Sequence, residues 1–414
     1  MQFLYNLSLS IVRFSLQILA LFNPKMKLFV NGRKKVFETL KSSISSADKV
    51  YWIHCASLGE FEQGRPVIEK LKRAFPTCKV VLTFFSPSGY EVQKNYQLAD
   101  VVVYLPLDTK LNAERFISLV HPAMAIFVKY EFWPNYLTEL KLQKIPAILV
   151  SGIFRKDQIF FKNHGAWMRS KLNAFSHFFL QDDNSAKLLR GINYQNITVS
   201  GDTRFDRVYD IINRDNSLDF IQDFVGESYV AVAGSTWPED EDLLVRYILD
   251  KSDAREKFII APHNVKSEGV ENLKMAFGDD AVLFSEKNEK ELSKYKVFII
   301  DTVGILTKIY SLANVAYVGG GYTKSGIHNV LEPATFGVPV VIGPNFKKFN
   351  EALNLVDLGA CISTKDQESV NSVFQQLKEN TVIREEKGQI AANYIKDSLG
   401  ASDKIIAYIK NSQE

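Results

Sequence analysis

The sequence predicts an α/β protein of two doubly wound, Rossmann-like halves facing a cleft, and three observations predict it. Short apolar runs recur along the chain and alternate with segments of helical apolar spacing such as Val67–Phe75, the pattern of buried parallel sheets with crossover helices. The runs form two series separated by the polar stretch Asn213–Leu218. Many of them end in glycine-rich or reactive loops, which in open α/β sheets lie at the carboxyl edge where ligands bind. At 414 residues the chain also exceeds what one core usually holds.

The first element is a helix over 1–24. At about 100° per residue, Gln2, Asn6, Ser10, Arg13 and Gln17 fall on one stripe, with Leu, Phe, Ile and Val over the rest. Arg13 interrupts the apolar stretch and no small-residue cleavage site follows, which argues against a secretory signal. The stripe predicts an amphipathic helix in a membrane interface; a surface helix packed on its own domain shares the pattern. Lys25, Lys27, Arg33, Lys34 and Lys35 follow and suit an anionic, cytoplasmic leaflet.

A first domain is expected over 25–212, with strands at Val50–Cys55, Val80–Phe85, Val101–Leu105, Met124–Val128, Ala147–Val150, His177–Leu180 and Ile197–Val199. A linker is expected over 213–226. A second domain over 227–389 carries runs at Tyr229–Ala233, Phe258–Ile260, Ala281–Phe284, Val297–Ile300, Val315–Val318 and Val338–Ile342. The segment 390–414, helical over Ile390–Ile409, is expected to pack back on the first domain.

Within the second domain, Val315–Val318 leads into Gly319–Gly321, then a polar loop, then a helix expected to start near His328 and Asn329 and to carry Glu332. Glycines let a ligand approach backbone N–H groups, and a helix start favours an anion. Glu332 suits a ribose diol. An ordinary βαβ unit with tight-turn glycines produces the same pattern.

Composition excludes other classes. A net charge of +3 makes no case for nucleic acid. Three cysteines without CxxC pairing predict reduced thiols. Six histidines without HExxH spacing predict no dedicated metal site.

Ordered segments in both halves carry a family resemblance: HCASLGEFEQGRP (54–66), KYEFWPN (129–135), SGDTRFD (200–206), GSTWPEDE (234–241), APH (261–263), DTVGIL (301–306) and GIHNVLEPATFGVPVVIGP (326–344). The chain resembles the Kdo (3-deoxy-D-manno-octulosonic acid) transferases of lipopolysaccharide biosynthesis. The resemblance implies a GT-B fold and CMP-Kdo as donor. It also implies a lipid A precursor as acceptor, inversion at the anomeric carbon, and neither metal nor other cofactor. The first domain is then the acceptor domain and the second the CMP-sugar domain, at the cytoplasmic face of the inner membrane. It further implies that Glu60 is the general base, and that Glu131 and Arg204 stabilise the transition state. CMP contacts fall on Pro262, His263, Val303, Gly304, Ile305, Asn329, Val330, Leu331 and Glu332.

Three positions depart from the family pattern. His263 stands where an arginine is usual, Ile305 where a carboxylate is usual, and Ile327 where a glycine is usual. The first two bear on side-chain contacts to CMP.

The chemistry is consistent with these roles. Attack by a sugar hydroxyl needs a base, and an ionised carboxylate at a strand tip suits it; a carboxylate in a helix's first turn also serves as a cap. The leaving nucleotide and the donor's carboxylate call for cations and N–H donors, with Arg204, Arg155 and Lys324 as candidates. Aromatics flanking Glu131 are expected to form a wall against sugar or acyl groups, with plain core as the alternative. His54, in an apolar strand, reads as a satisfied core residue. Two other classes share the second-domain loop: a GT-B enzyme using a UDP-sugar, and a catalytically inactive membrane-associated scaffold.

Overall fold

The structure, a computed structural model, describes residues 1–265 and 267–412. It divides into two compact units, residues 1–207 with the C-terminal stretch from Ser398, and Val208–Asp397.

The first unit holds a parallel seven-stranded sheet of β1 Val50–Cys55, β2 Lys79–Phe84, β3 Val101–Tyr104, β4 Met124–Val128, β5 Ala147–Gly152, β6 Phe175–Leu180 and β7 Ile197–Val199, in the order β3-β2-β1-β4-β5-β6-β7. Alternate residues of β1 feed two cores: Val50 and Trp52 pack into one, Tyr51, Ile53 and Cys55 into the other. Both faces are covered, so the strand reads as a continuous apolar run.

The second unit holds β8 Tyr229–Thr236, β9 Glu256–Pro262, β10 Ala281–Leu283, β11 Val297–Ile299, β12 Val315–Val318, β13 Val340–Ile342 and β14 Cys361–Ser363, in the order β10-β11-β9-β8-β12-β13-β14. The sequence pattern misses β14. It is three residues long on the sheet's edge, and its last residue is an exposed serine.

Two expected segments, the linker and the C-terminal one, differ from expectation. The expected linker over 213–226 contains a helix, Asp219–Val225, whose Ile221, Phe224 and Val225 are buried in the second unit's core. The expected C-terminal helix is two helices, Thr381–Asp397 and Ala401–Asn411. Between them Gly400 adopts φ 96°, a left-handed conformation open to glycine. Only the later helix lies in the first unit, where Ile405, Ile406 and Ile409 join the core behind β1. Asp206 secures its start, accepting from Gly400 N and Ser402 N, both at 2.7 Å.

The N-terminal helix Gln2–Phe22 is turned polar side in. Gln2 donates to Asn135 at 2.7 Å, Tyr5 donates to Asp108 at 2.7 Å, and Asn6 accepts from Asn135 at 3.0 Å. Most of its apolar residues face outward: Phe3 is 76%, Phe14 65% and Phe22 82% exposed, and no residue of the helix is buried. A helix packed on its own domain through an apolar stripe has the opposite orientation. Asn23 ends it and caps the helix Pro24–Asn31, accepting from Lys25 N and Met26 N.

One buried ion pair holds the second unit's sheet to a neighbouring helix. Glu256, on β9 and 1% exposed, accepts from Lys378 at 2.9 Å, from Tyr247 and from the Asp253 backbone. Lys378→Met leaves that carboxylate without its cation. We expect a loss of about 3–5 kcal/mol in unfolding free energy, read by urea denaturation. A loss under about 1 kcal/mol would mean that the two remaining bonds suffice.

Candidate active site

In each sheet the strands pass to opposite sides of the first one, and ligand sites of open α/β sheets form at such a switch. In the first unit the switch lies between β1 and β4. After β1 the chain turns through Ser57, extended at φ −139°, into the helix Leu58–Ala74. Glu60 lies in that helix's first turn, half-buried, where the helix dipole favours a carboxylate. The Ser57 hydroxyl donates to it. After β4, Lys129 takes a left-handed φ of 67° and the loop presents Glu131.

Glu60 and Glu131 thus follow the paired neighbouring strands β1 and β4. Burial raises the Cys55 thiol well above its ordinary range, and the carboxylates of Glu60, Glu131 and Glu62 raise it further. Glu131 Oε2 lies 3.4 Å from His54 Nε2. His54 is fully buried, as expected of a core residue, and satisfied: Nε2 accepts from Trp133 Nε1 at 3.0 Å, and Nδ1 meets the Thr83 hydroxyl at 2.9 Å. The histidine therefore also fixes the loop that carries Glu131. Phe132 and Trp133 do not form the expected wall. Phe132 packs edge-on against Phe160 at 4.8 Å, Trp133 lies 4.6 Å from Phe85, and both pack on the core.

Arg204 opens the helix Arg204–Ile212 and pairs with Asp202, NH2 to Oδ2 at 2.8 Å. Asp202 in turn accepts from Gln63 Nε2 at 3.0 and 3.1 Å, and Gln63 sits on the helix that begins beside Glu60. Thr203 donates to the Gln63 carbonyl at 2.6 Å. A buried tether thus fixes Arg204 relative to Glu60. Sequence reasoning misses Gln63 and Asp202, although both lie inside the quoted segments; being 139 residues apart, they give no local signal.

In the second unit the switch lies between β8 and β12. The loop after β8 carries Trp237, the loop after β12 carries His328, and His263 follows β9. The Trp237 and His263 rings stack at 4.7 Å and 17°, and His263 stacks on His328 at 4.4 Å and 29°. Trp237 Nε1 donates to His328 Nε2 at 3.0 Å. A cavity of about 380 Å³ opens beside the stack, lined by Trp237, Pro238, Pro262, His263 and Glu268 among others.

Burial, with neighbouring His263, lowers the His328 pKa to about 4. The unfolded chain therefore binds more protons than the folded one between about pH 6.5 and 4. Stability from this ring is full above about pH 6.5 and is lost as pH falls from there through about 4. We expect His328→Gln to flatten the acid limb of an unfolding-free-energy profile; an unchanged slope would mean that the ring does not remain neutral in the fold.

Asp240 builds this corner. Fully buried, it accepts from Tyr317 OH, Gly320 N and Trp237 N at 2.7, 2.7 and 2.9 Å. Burial raises its carboxyl, against the pull of those bonds. The glycines at 319–321 answer to this packing rather than to ligand approach. A Cβ on Gly319 would stand 2.4 Å from the Ser235 carbonyl oxygen, and one on Gly321 2.5 Å from Gly343 N.

The remaining expected CMP contacts separate by burial. Glu332 is half-buried and accepts from Thr307 at 2.7 Å and Asn329 at 3.0 Å. Val303 is exposed and Gly304 is left-handed in the same open loop. The Val330 and Leu331 side chains are buried, which leaves a ligand only their backbone, where Leu331 N already donates to Asn329 Oδ1 at 3.1 Å. Ile305 packs against the apolar cluster beneath the sheet, the side chain turned into the protein where the family has a carboxylate. The helix expected from His328 spans only Leu331–Thr335, too short to act as an anion-binding terminus. Pro262, at the end of β9, lines the cavity with His263. Among the described residues no group of three or more His, Cys, Asp or Glu could hold a metal ion.

Solved structures match this fold. UDP-GlcNAc 2-epimerase from Neisseria meningitidis aligns with TM-score 0.61 at 16% identity, over 88% of this chain and all of that one. MurG from Acinetobacter baumannii aligns with TM-score 0.55 at 14% identity, over 88% of this chain and 99% of that one. The fold is GT-B. Residues 31–207 match the family described as 3-Deoxy-D-manno-octulosonic-acid transferase (kdotransferase). Enzymes named 3-deoxy-D-manno-octulosonic acid transferase from Aquifex aeolicus and Haemophilus influenzae are 25% and 24% identical, over 86% and 87% of this chain and 94% and 86% of theirs. The chain is similar to these Kdo transferases over most of its length, and the protein is a glycosyltransferase.

Proposed function

We propose that the protein transfers Kdo from CMP-Kdo to a glucosamine hydroxyl of a lipid A precursor, with inversion, at the cytoplasmic face of the inner membrane. One observation carries the reading: Glu60 stands at the first sheet's switch point, one strand over from Glu131, on the helix whose Gln63 ties down Arg204 through Asp202. In this proposal Glu60 takes the acceptor proton as the glycosidic bond forms. Arg204 and Glu131 steady the charge that develops on the sugar. The second unit holds the cytidine phosphate with Pro262, His263, Asn329 and Glu332 side chains, and with the backbone at Val303, Gly304, Ile305, Val330 and Leu331. No metal or other cofactor takes part.

The outward apolar face of the N-terminal helix supports the membrane assignment. An amphiphilic acceptor keeps its acyl chains in lipid, and a helix lying in the interface sets the enzyme at headgroup height.

Incubation with CMP-Kdo and tetra-acylated lipid A precursor, followed by mass spectrometry, tests the proposal. The expected product is heavier by one or more Kdo residues. Failure to consume CMP-Kdo would overturn it in favour of a scaffold. Tighter binding of UDP than of CMP would favour a UDP-sugar enzyme, the ligand class named for the Neisseria structure.

A further inference from the structure

Against the inner side of the N-terminal helix lies a cavity of about 230 Å³, lined by Arg13, Leu16, Phe29, Arg33, Lys34 and Phe37 among others. We propose that it binds the phosphodiester headgroup of an anionic phospholipid. The inference rests on the membrane placement proposed above and names the lipid chemistry that this placement engages.

Arg33 is the cavity's innermost cation. Its Nε donates to the Leu105 carbonyl at 2.9 Å, NH1 to the Phe29 carbonyl at 2.7 Å and NH2 to the Phe85 carbonyl at 2.7 Å. The guanidinium carbon sits 3.6 Å from the centre of the Phe29 ring, with Phe85 and Tyr104 also beneath it. Three of its five N–H groups are thus used, all on neutral acceptors. It has no carboxylate partner among the described residues, and burial lowers its pKa to about 9, which still leaves it charged at neutral pH. A largely buried cation without a counter-charge is costly, and an anion offsets that cost.

The surroundings fit a phosphate on a lipid rather than a free ion. Arg13 and Lys34 are exposed and make no ion pair among the described residues. Among the described residues no Asp or Glu lines the cavity, while Leu16, Phe29, Val30 and Phe37 give it an apolar wall. The same helix turns its apolar face outward beside Arg13 and Leu16, at Ile11, Phe14 and Ile18. A phosphate at the junction of headgroup and acyl chain meets both surfaces.

The test is titration of the full-length protein with dihexanoyl-phosphatidylglycerol below its micelle concentration. Binding is expected, and the double variant Arg13→Gln with Lys34→Gln should weaken it about tenfold or more. Lys25→Gln with Lys27→Gln removes equal charge outside the cavity and should change affinity less than about twofold. Equal losses in the two variants, no binding at all, or inorganic phosphate competing as tightly as the lipid would overturn the site. If the soluble lipid does not bind while the protein still floats with phosphatidylglycerol vesicles, the cavity assignment falls and the interfacial helix stands. If the soluble lipid binds but the protein does not float, the cavity assignment stands and the interfacial helix falls.

Discussion

Glu60→Gln should lower turnover of Kdo transfer about 10²–10⁴-fold, the range of a positioned proton transfer, while leaving the protein folded. The substitution keeps the side chain's shape, its place in the first helical turn and an acceptor for the Ser57 hydroxyl. What it removes is the ability to accept a proton. Binding of CMP should be unaffected, because that ligand is assigned to the second unit. Purified variant and parent, compared by initial rate at saturating substrates and by CMP titration, separate the two effects. Ser57→Ala provides the internal control: it removes the donor to Glu60 but not the base, so a smaller loss is expected. Near-normal turnover in Glu60→Gln would remove the base from this residue altogether.

The second large effect concerns the N-terminal helix. Ile11→Gln, Phe14→Gln and Ile18→Gln together should reduce partitioning onto lipid vesicles about 100-fold. Full burial of such side chains is worth about 1.5–3 kcal/mol each, and partial insertion of three gives about 3 kcal/mol, two decades in an equilibrium constant. All three are exposed and touch none of the cores, so thermal stability should not change. Flotation assays read the partitioning. Transfer to a micellar acceptor should fall far less than transfer to an acceptor in vesicles. Retention on vesicles would place membrane contact elsewhere on the protein.

The sheets are legible in the sequence because their strands are covered on both faces and so appear as uninterrupted apolar runs. The edge strand at Cys361–Ser363 is not, since a short, partly exposed edge carries no such run. Segment 219–225 reads as linker because its polar flanks hide Ile221 and Phe224, which the core needs. Site residues next to a strand end can be placed from spacing, and the structure sets Glu60 and Glu131 at neighbouring strand tips. What spacing does not show is direction. Val330 and Leu331 point into the core, and Ile305 does too. Nor does it show partners far apart in the chain, such as Gln63 with Asp202 or Trp237 with His328, 91 residues away. The glycine triplet is legible as a motif but not as to cause, which is backbone crowding at Ser235 and Gly343.

Because the first unit takes its final helix from residues beyond Ser398, the whole second unit is an insertion within it. On the ribosome the inserted half is complete while the earlier half still lacks Ile405, Ile406 and Ile409, and with them one wall of its interior. The half made first is therefore the half finished last, and a chain stopped before Ile405 would leave it open.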